Sequence, residues 1–218
     1  MKRLLFPLCL IVLIVIGVSV TACSAPPQGS AEWYFAQAYK QSFRGEYQAA
    51  IDNYTQAISV EPNLAKLYVN RAAAYASLKK YDEVIADCTK AIELDPKLSL
   101  AYINRAFAYN SVGQYDLAIQ DSNKAIDLGK NRPEAYISRA YAYMKLNDLT
   151  KAIGDCTEAI ELDSSMAQAY FQRAYIYKAL DKTTDAIADF QKFISLSKDE
   201  ALIATANQEI AQMSSITP

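Results

Sequence analysis

From Ala31 onward the chain copies itself every 34 residues, and the period never slips. Tyr34, Tyr68, Tyr102, Tyr136 and Tyr170 mark it, and four places after each comes a small residue: Ala38, Ala72, Ala106, Ala140 and Ala174. Three further on stand Tyr75, Tyr109, Tyr143 and Tyr177, with Gln41 in the first copy. The second half of each copy carries Ala50, Val84, Ala118, Ala152 or Ala186, each followed by isoleucine, and then Ala57, Ala91, Ala125, Ala159 or Phe193. A fixed period of this length belongs to architectures in which each unit buries its apolar face only against its neighbours.

Each copy holds two runs with apolar residues at three-to-four spacing, the period of an amphipathic helix. Turn residues such as Arg44-Gly45-Glu46 and Val112-Gly113-Gln114 separate the runs, and Glu61-Pro62 or Asp95-Pro96 closes the copy. The expectation is an all-α chain of five helical hairpins over residues 31–64, 65–98, 99–132, 133–166 and 167–198. Alanines at matching points let helix backbones approach closely, and the tyrosines fill the gaps between layers. Phe193 breaks the alanine rule where the array ends. A single stretch follows, with Ala201, Ile203, Ala204, Ile210 and Ala211 as its apolar residues. It is expected to form a capping helix within residues 199–214.

The pattern resembles the tetratricopeptide repeat family, whose signature sets an aromatic, a small residue and a tyrosine in one helix and an Ala-x₃-aromatic in the next. The resemblance covers residues 31–198. It implies a right-handed α-solenoid whose first helices line a concave channel for a protein or an extended peptide. On that register Phe35, Val69, Ile103, Ile137 and Phe171 form one inward row, and Tyr39, Ala73, Phe107, Tyr141 and Tyr175 the next. Asn70 and Asn104 lie beside them, with a donor and an acceptor each for a peptide backbone. Members that grip a C-terminal carboxylate use lysine, arginine and asparagine at places that here hold Phe35, Tyr39, Asn70, Leu100 and Asn104. Only Asn70 survives of that clamp, and none of its positive charge. Binding through the convex face and self-association are the other uses of such an array.

Arg71, Arg105, Arg139 and Arg173 precede the small alanines, and Asp87, Asp121, Asp155 and Asp189 follow each at sixteen residues. The first copy has Gln37 and Asn53 and loses both charges together. This reads as a ladder of ion pairs within the repeats, the alternative being a row of arginines for an anion. Cys88 and Cys156 share a second-helix register with Tyr54, Ser122 and Phe190. They read as buried, inert thiols too far apart to form a disulfide.

Composition excludes several classes. The chain has no histidine, so it lacks the commonest general base and metal ligand. Its formal charge of −2 gives no basic footprint for nucleic acid. Six glycines include no phosphate-cradling loop. No cofactor or metal is expected and no catalytic residue is assigned. The reading is a binding scaffold, with a holdase-like chaperone for exported chains as the alternative and an enzyme the remote third.

Residues 1–22 have a basic start, Lys2 and Arg3, an apolar run from Leu4 to Val20, and then Thr21 and Ala22 before Cys23. This is the shape of a secretory signal. Val20-Thr21-Ala22-Cys23 resembles the lipobox of bacterial lipoprotein precursors, which implies cleavage before Cys23 and acylation of its thiol. The alternative is that Leu4 to Val20 stays as an uncleaved anchor. Residues 23–30 read as a short tether of turn-forming composition, so the folded part is expected close to a membrane in the bacterial cell envelope, facing away from the cytoplasm.

Overall fold

Over residues 26–129 and 131–216, which the computed structural model of this protein describes, the chain forms eleven α-helices and no strand. The expected signal segment and the lipidation site Cys23 lie outside the described residues. The helices pair as α1 (Ala31–Phe43) with α2 (Tyr47–Val60), α3 (Ala65–Ser77) with α4 (Tyr81–Leu94), and α5 (Ser99–Ser111) with α6 (Tyr115–Leu128). The series continues with α7 (Pro133–Lys145) and α8 (Leu149–Leu162), then α9 (Ala167–Ala179) and α10 (Thr183–Leu196), and ends in α11 (Glu200–Ile216).

Each hairpin turns by the same backbone device. Gly45, Lys79, Gly113, Asn147 and Asp181, spaced by the sequence period, all adopt left-handed φ between 55° and 79°. The next residue's N–H then reaches back to the carbonyl five residues earlier, as in Gln114 to Tyr109 at 2.8 Å and Lys80 to Tyr75 at 3.0 Å. This is the Schellman closure of a helix C-terminus, which pairs carbonyls the helix leaves without partners. Between hairpins the first-helix tyrosine takes over: the Tyr68 hydroxyl donates to the Pro62 carbonyl at 2.8 Å and Tyr102 to that of Pro96 at 3.3 Å. The periodic tyrosine therefore fixes the loop that precedes its own helix.

Packing divides among small clusters between successive layers. Ala72, Val84, Cys88 and Ala108 form one, Ala106, Ala118 and Ala142 the next, and Ala140, Ala152, Cys156 and Ile176 another. Each joins a hairpin to its successor, which is how a repeat array distributes its core. First helices also touch one another, α3 with α5, α5 with α7 and α7 with α9, so they form the inner row.

The ion-pair ladder is present and reaches further than its own repeat. Arg71 binds Asp87 through Nε and Nη2 at 2.8 and 2.7 Å, and its Nη1 donates to Thr55 of the preceding hairpin at 3.0 Å. In the first hairpin Asn53 donates to Gln41 at 2.9 Å. The neutral substitute is thus Gln41, one turn beyond the Gln37 of the sequence register.

The turn-forming composition of Pro27-Gln28-Gly29-Ser30 is expressed as a turn: Ser30 N–H bonds the Pro27 carbonyl at 3.0 Å and Gly29 has φ 85°. This is the glycine geometry of a type II turn. Ser30 then caps α1 by accepting the Trp33 N–H at 3.2 Å. In α11 the inward residues are Ile203, Ala206, Ile210 and Met213, while Ala201, Ala204 and Ala211 face solvent. Alternating three- and four-residue steps keep the first set on one stripe, and small apolar residues off that stripe cost little in water.

Candidate functional site

The inner faces of α5, α7 and α9, with Leu202 of α11, enclose a hollow of about 920 Å³. That is the upper end of the roughly 300–1,000 Å³ typical of binding pockets. Ile103, Asn104, Phe107, Ile137, Tyr141, Phe171 and Tyr175 of the expected rows all line it. Ile103 and Ile137 are buried and form its floor, while Phe107 stands half out of it. The rings are held by others behind them. Phe171 meets Phe193 at 4.6 Å and Tyr175 meets Phe190 edge-on at 5.1 Å, and Phe107 leans on Tyr81 at 6.1 Å. Such contacts fix ring orientation before any ligand arrives.

The other four expected residues lie elsewhere. Val69 is buried between repeats against Ala65, Ala91 and Ala101. Phe35 packs on Tyr54 at 5.9 Å and lines a separate cleft of about 220 Å³. Tyr39 is 61% exposed and stacks on Phe35. Asn70 spends its amide on the Lys66 carbonyl of its own helix, at 2.7 Å. The hollow thus gathers seven of the eleven expected residues, over the last three repeats and the cap. Ala73 stands exposed in α3 where the neighbouring copies put the rings of Tyr39 and Phe107.

Polar groups that the sequence did not single out give the hollow its chemistry. Asn110, 7% exposed at the end of α5, donates to the Ser138 carbonyl at 2.7 Å and to Ser138 Oγ at 3.1 Å. Its own Oδ1 is buried without a partner, and so is Oε1 of Gln172 in α9. Glu134 is the one carboxylate among the lining residues, which include no lysine or arginine. At the rim the Tyr175 hydroxyl donates to Glu209 of α11 at 3.3 Å, and Lys178 also pairs with Glu209. Burial first, and then the Glu209 charge, raise the Tyr175 pKa above its ordinary value. Gln172 shares the register of Asn70 and Asn104, so the period could have found it. Asn110 stands where other copies have Ala76 and Met144, and no periodic signal marks it.

Cys88 and Cys156 lie in separate interrepeat clusters outside the hollow, and burial pushes both thiols up to about 12. Among the described residues no group of three or more acids or cysteines is placed to hold a metal.

Models of the tetratricopeptide repeat match residues 65–98 and 133–166, 88–120, and 167–200, and a TPR repeat model matches residues 43–79. No curated protein sequence matches. Among solved structures, TTC0263 of Thermus thermophilus, a thermophilic TPR protein, superposes with a TM-score of 0.71 at 14% identity, over 85% of this chain and 100% of that one. MamA 41-end from Desulfovibrio magneticus RS-1 gives 0.66 at 20% identity, over 78% and 96%. YrrB, described as a TPR protein with an unusual peptide-binding site, gives 0.59 at 20% identity, over 82% and 92%.

Proposed function

This chain belongs to the tetratricopeptide repeat family, and we propose that it is an interaction scaffold at a membrane surface that takes an extended segment of a partner polypeptide into the hollow of α5, α7 and α9. The observation that carries this reading is the pairing of fixed aromatic rings with the unpartnered acceptors of Asn110 and Gln172. Rings offer apolar area at low entropic cost. A buried acceptor without a donor is a standing cost that a ligand N–H removes. The peptide-binding site of YrrB belongs to that protein, and its likeness to this chain adds the fold alone.

In this reading Cys23 carries the lipid and residues 24–30 set the scaffold close to the headgroups of a bacterial envelope membrane. Among the described residues no helix is long and apolar enough to cross a bilayer. The Pro27–Ser30 turn shortens the reach of the tether, so partners would be held near the lipid surface.

A photoreactive residue tests the proposal. Placed at Tyr141 in native membranes it is expected to crosslink a partner. Placed at Leu117, exposed on the outer helix α6, it is expected to crosslink none. Crosslinks from Leu117 with none from Tyr141 reject the hollow. A single partner band supports the scaffold, and a broad ladder of exported chains supports a holdase-like role instead.

A further inference from the structure

We propose that the outer face of α1 lies on the lipid surface to which the chain is tethered, an inference that rests on the lipid-anchor part of the reading above and is independent of the hollow. Inner copies show what this face is. Ala74 shares a packed cluster with Ala38, Ala50 and Tyr54 of the hairpin before it, Ala108 with Ala72 and Val84, Ala142 with Ala106 and Ala118, and Ile176 with Ala140 and Ala152. At the same register α1 has Lys40, which is exposed, and no described hairpin precedes it. Trp33, Ala36, Lys40 and Phe43 follow one another at three- and four-residue steps, so they share one stripe of the helix. Trp33 is half-buried, its ring edge-on to Tyr34 at 5.1 Å, where the other copies bury Leu67, Ala101, Ala135 and Ala169. Phe43 is 89% exposed where the other copies have Ser77, Ser111, Lys145 and Ala179, and Tyr39 beside it is exposed as well.

The other end of the array is finished differently. α11 contains no aromatic residue, and its outward positions are small or polar, among them Ala201, Ala204, Gln208 and Gln212. Water suits that end, whereas exposed rings side by side mark a contact surface. Tether length names the contact. Seven residues separate Cys23 from Ala31, a reach of about 25 Å at most, and the Pro27–Ser30 turn shortens it. The helix α1 is itself about 20 Å long, so a lipidated Cys23 holds the whole stripe within reach of the headgroups. Trp and Tyr rings settle at headgroup depth, and an amphipathic helix lies in that plane. Among the described residues neither Lys40 nor Arg44 makes an ion pair. Glu32 on the same helix and Glu46 just after it are exposed as well, so the charges balance and the rings carry the contact.

Trp33 is the only tryptophan of the chain, so its fluorescence reports the surroundings of this face. The test places the full lipidated chain in vesicles of phosphatidylethanolamine and phosphatidylglycerol whose acyl chains carry bromine near the headgroups. Flotation with the vesicles tests the anchor separately. Bromine is expected to quench Trp33 strongly, and to quench as strongly a Phe43→Trp reporter in a Trp33→Phe background. Phe43 is almost wholly exposed, so that reporter does not put the fold at risk. A Leu117→Trp reporter on the outer helix α6, in the same background, is expected to keep its emission. Quenching of Trp33 alone overturns the docking of the face, because the tether by itself brings the start of α1 near lipid. Equal quenching at Leu117→Trp overturns it too, since no one face is then preferred. Full emission from both α1 reporters in a chain that floats overturns the inference and leaves the anchor in place. Full emission together with a detergent-phase dimer that Phe43→Glu splits assigns the face to a second copy instead. A chain that does not float removes the anchor reading and this inference together, with the hollow untouched.

Discussion

Arg105 grips Asp121 with two parallel hydrogen bonds, Nε to Oδ2 at 2.7 Å and Nη2 to Oδ1 at 2.9 Å, while its remaining Nη1 donates to Thr89 of the preceding hairpin at 2.9 Å. The guanidinium also lies 5.8 Å from the ring centres of both Tyr102 and Tyr109. One side chain thus ties the two helices of its own hairpin and the outer helix of the hairpin before it. Arg173 repeats the arrangement with Asp189, Thr157, Tyr170 and Tyr177.

Breaking this pair is expected to be costly from either side. Arg105→Ala strands a carboxylate that is 6% exposed, and losing one partner of a buried pair costs about 3–5 kcal/mol. Asp121→Ala is expected to cost a similar amount, and the double variant clearly less than the sum. Urea unfolding of the four proteins measures the coupling. Additive losses would reject the ladder as a structural unit.

The left-handed turn position predicts a gain. Lys79, at φ 58°, sits where the first and third hairpins use Gly45 and Gly113, and a side chain in that conformation costs about 1–2 kcal/mol. Lys79→Gly is therefore expected to stabilise the chain by about 1 kcal/mol, part of the relief being lost to extra freedom in the unfolded state. The mirror test is Gly113→Ala. No atom lies within 4 Å of the added Cβ, so its loss of about 1 kcal/mol would report backbone strain alone.

Ser122 is fully buried, and its hydroxyl has no hydrogen-bond partner. It occupies the register of Tyr54, Cys88, Cys156 and Phe190, all of them buried. Removing an unsatisfied hydroxyl recovers its desolvation penalty, so Ser122→Ala is expected to stabilise by about 1 kcal/mol. A fall in the thermal midpoint would contradict this.

The buried thiols and the proposed lipid anchor make a joint prediction. Cys88 and Cys156 hold their protons up to about 12 against an ordinary 9.0. Their contribution to stability is therefore fully present below pH 9, because the unfolded thiols ionise first above it. The contribution falls as pH rises from 9 toward 12. If, as proposed, Cys23 is acylated and Cys9 is removed with the signal, a thiol reagent at about pH 8 is expected to find no reactive cysteine in the native protein and both Cys88 and Cys156 after denaturation. Intact mass of membrane-extracted protein is expected to show a chain beginning at lipid-modified Cys23. A chain beginning at another, unmodified residue would reject the anchor.

Much of the molecule was legible in the residues because the same contacts recur. Ala72, Ala106 and Ala140 announce close helix approach by their identity alone, and Arg105 with Asp121 announces a pair by recurring at one spacing. The hollow was half legible. Ile103, Phe107, Tyr141 and Tyr175 follow from register, but register could not say that they meet in one hollow over the last three layers and the cap. Nor could it say that Asn70 bonds its own helix, a local competition that any asparagine in a helix faces.

The sequence by itself determined the period, and with it the hairpins and the small residues at the helix contacts, because each depends on local conformation or on the nearest repeat. Only the tertiary structure decided where the array opens into a hollow and which polar atoms around it go without a partner. Those depend on side chains from three layers and the cap meeting in space: Asn110 on Ser138, Glu209 of α11 on Tyr175, and two amide oxygens with no donor. A nearest-neighbour pattern carries no record of such convergence, since it appears only when the layers stack.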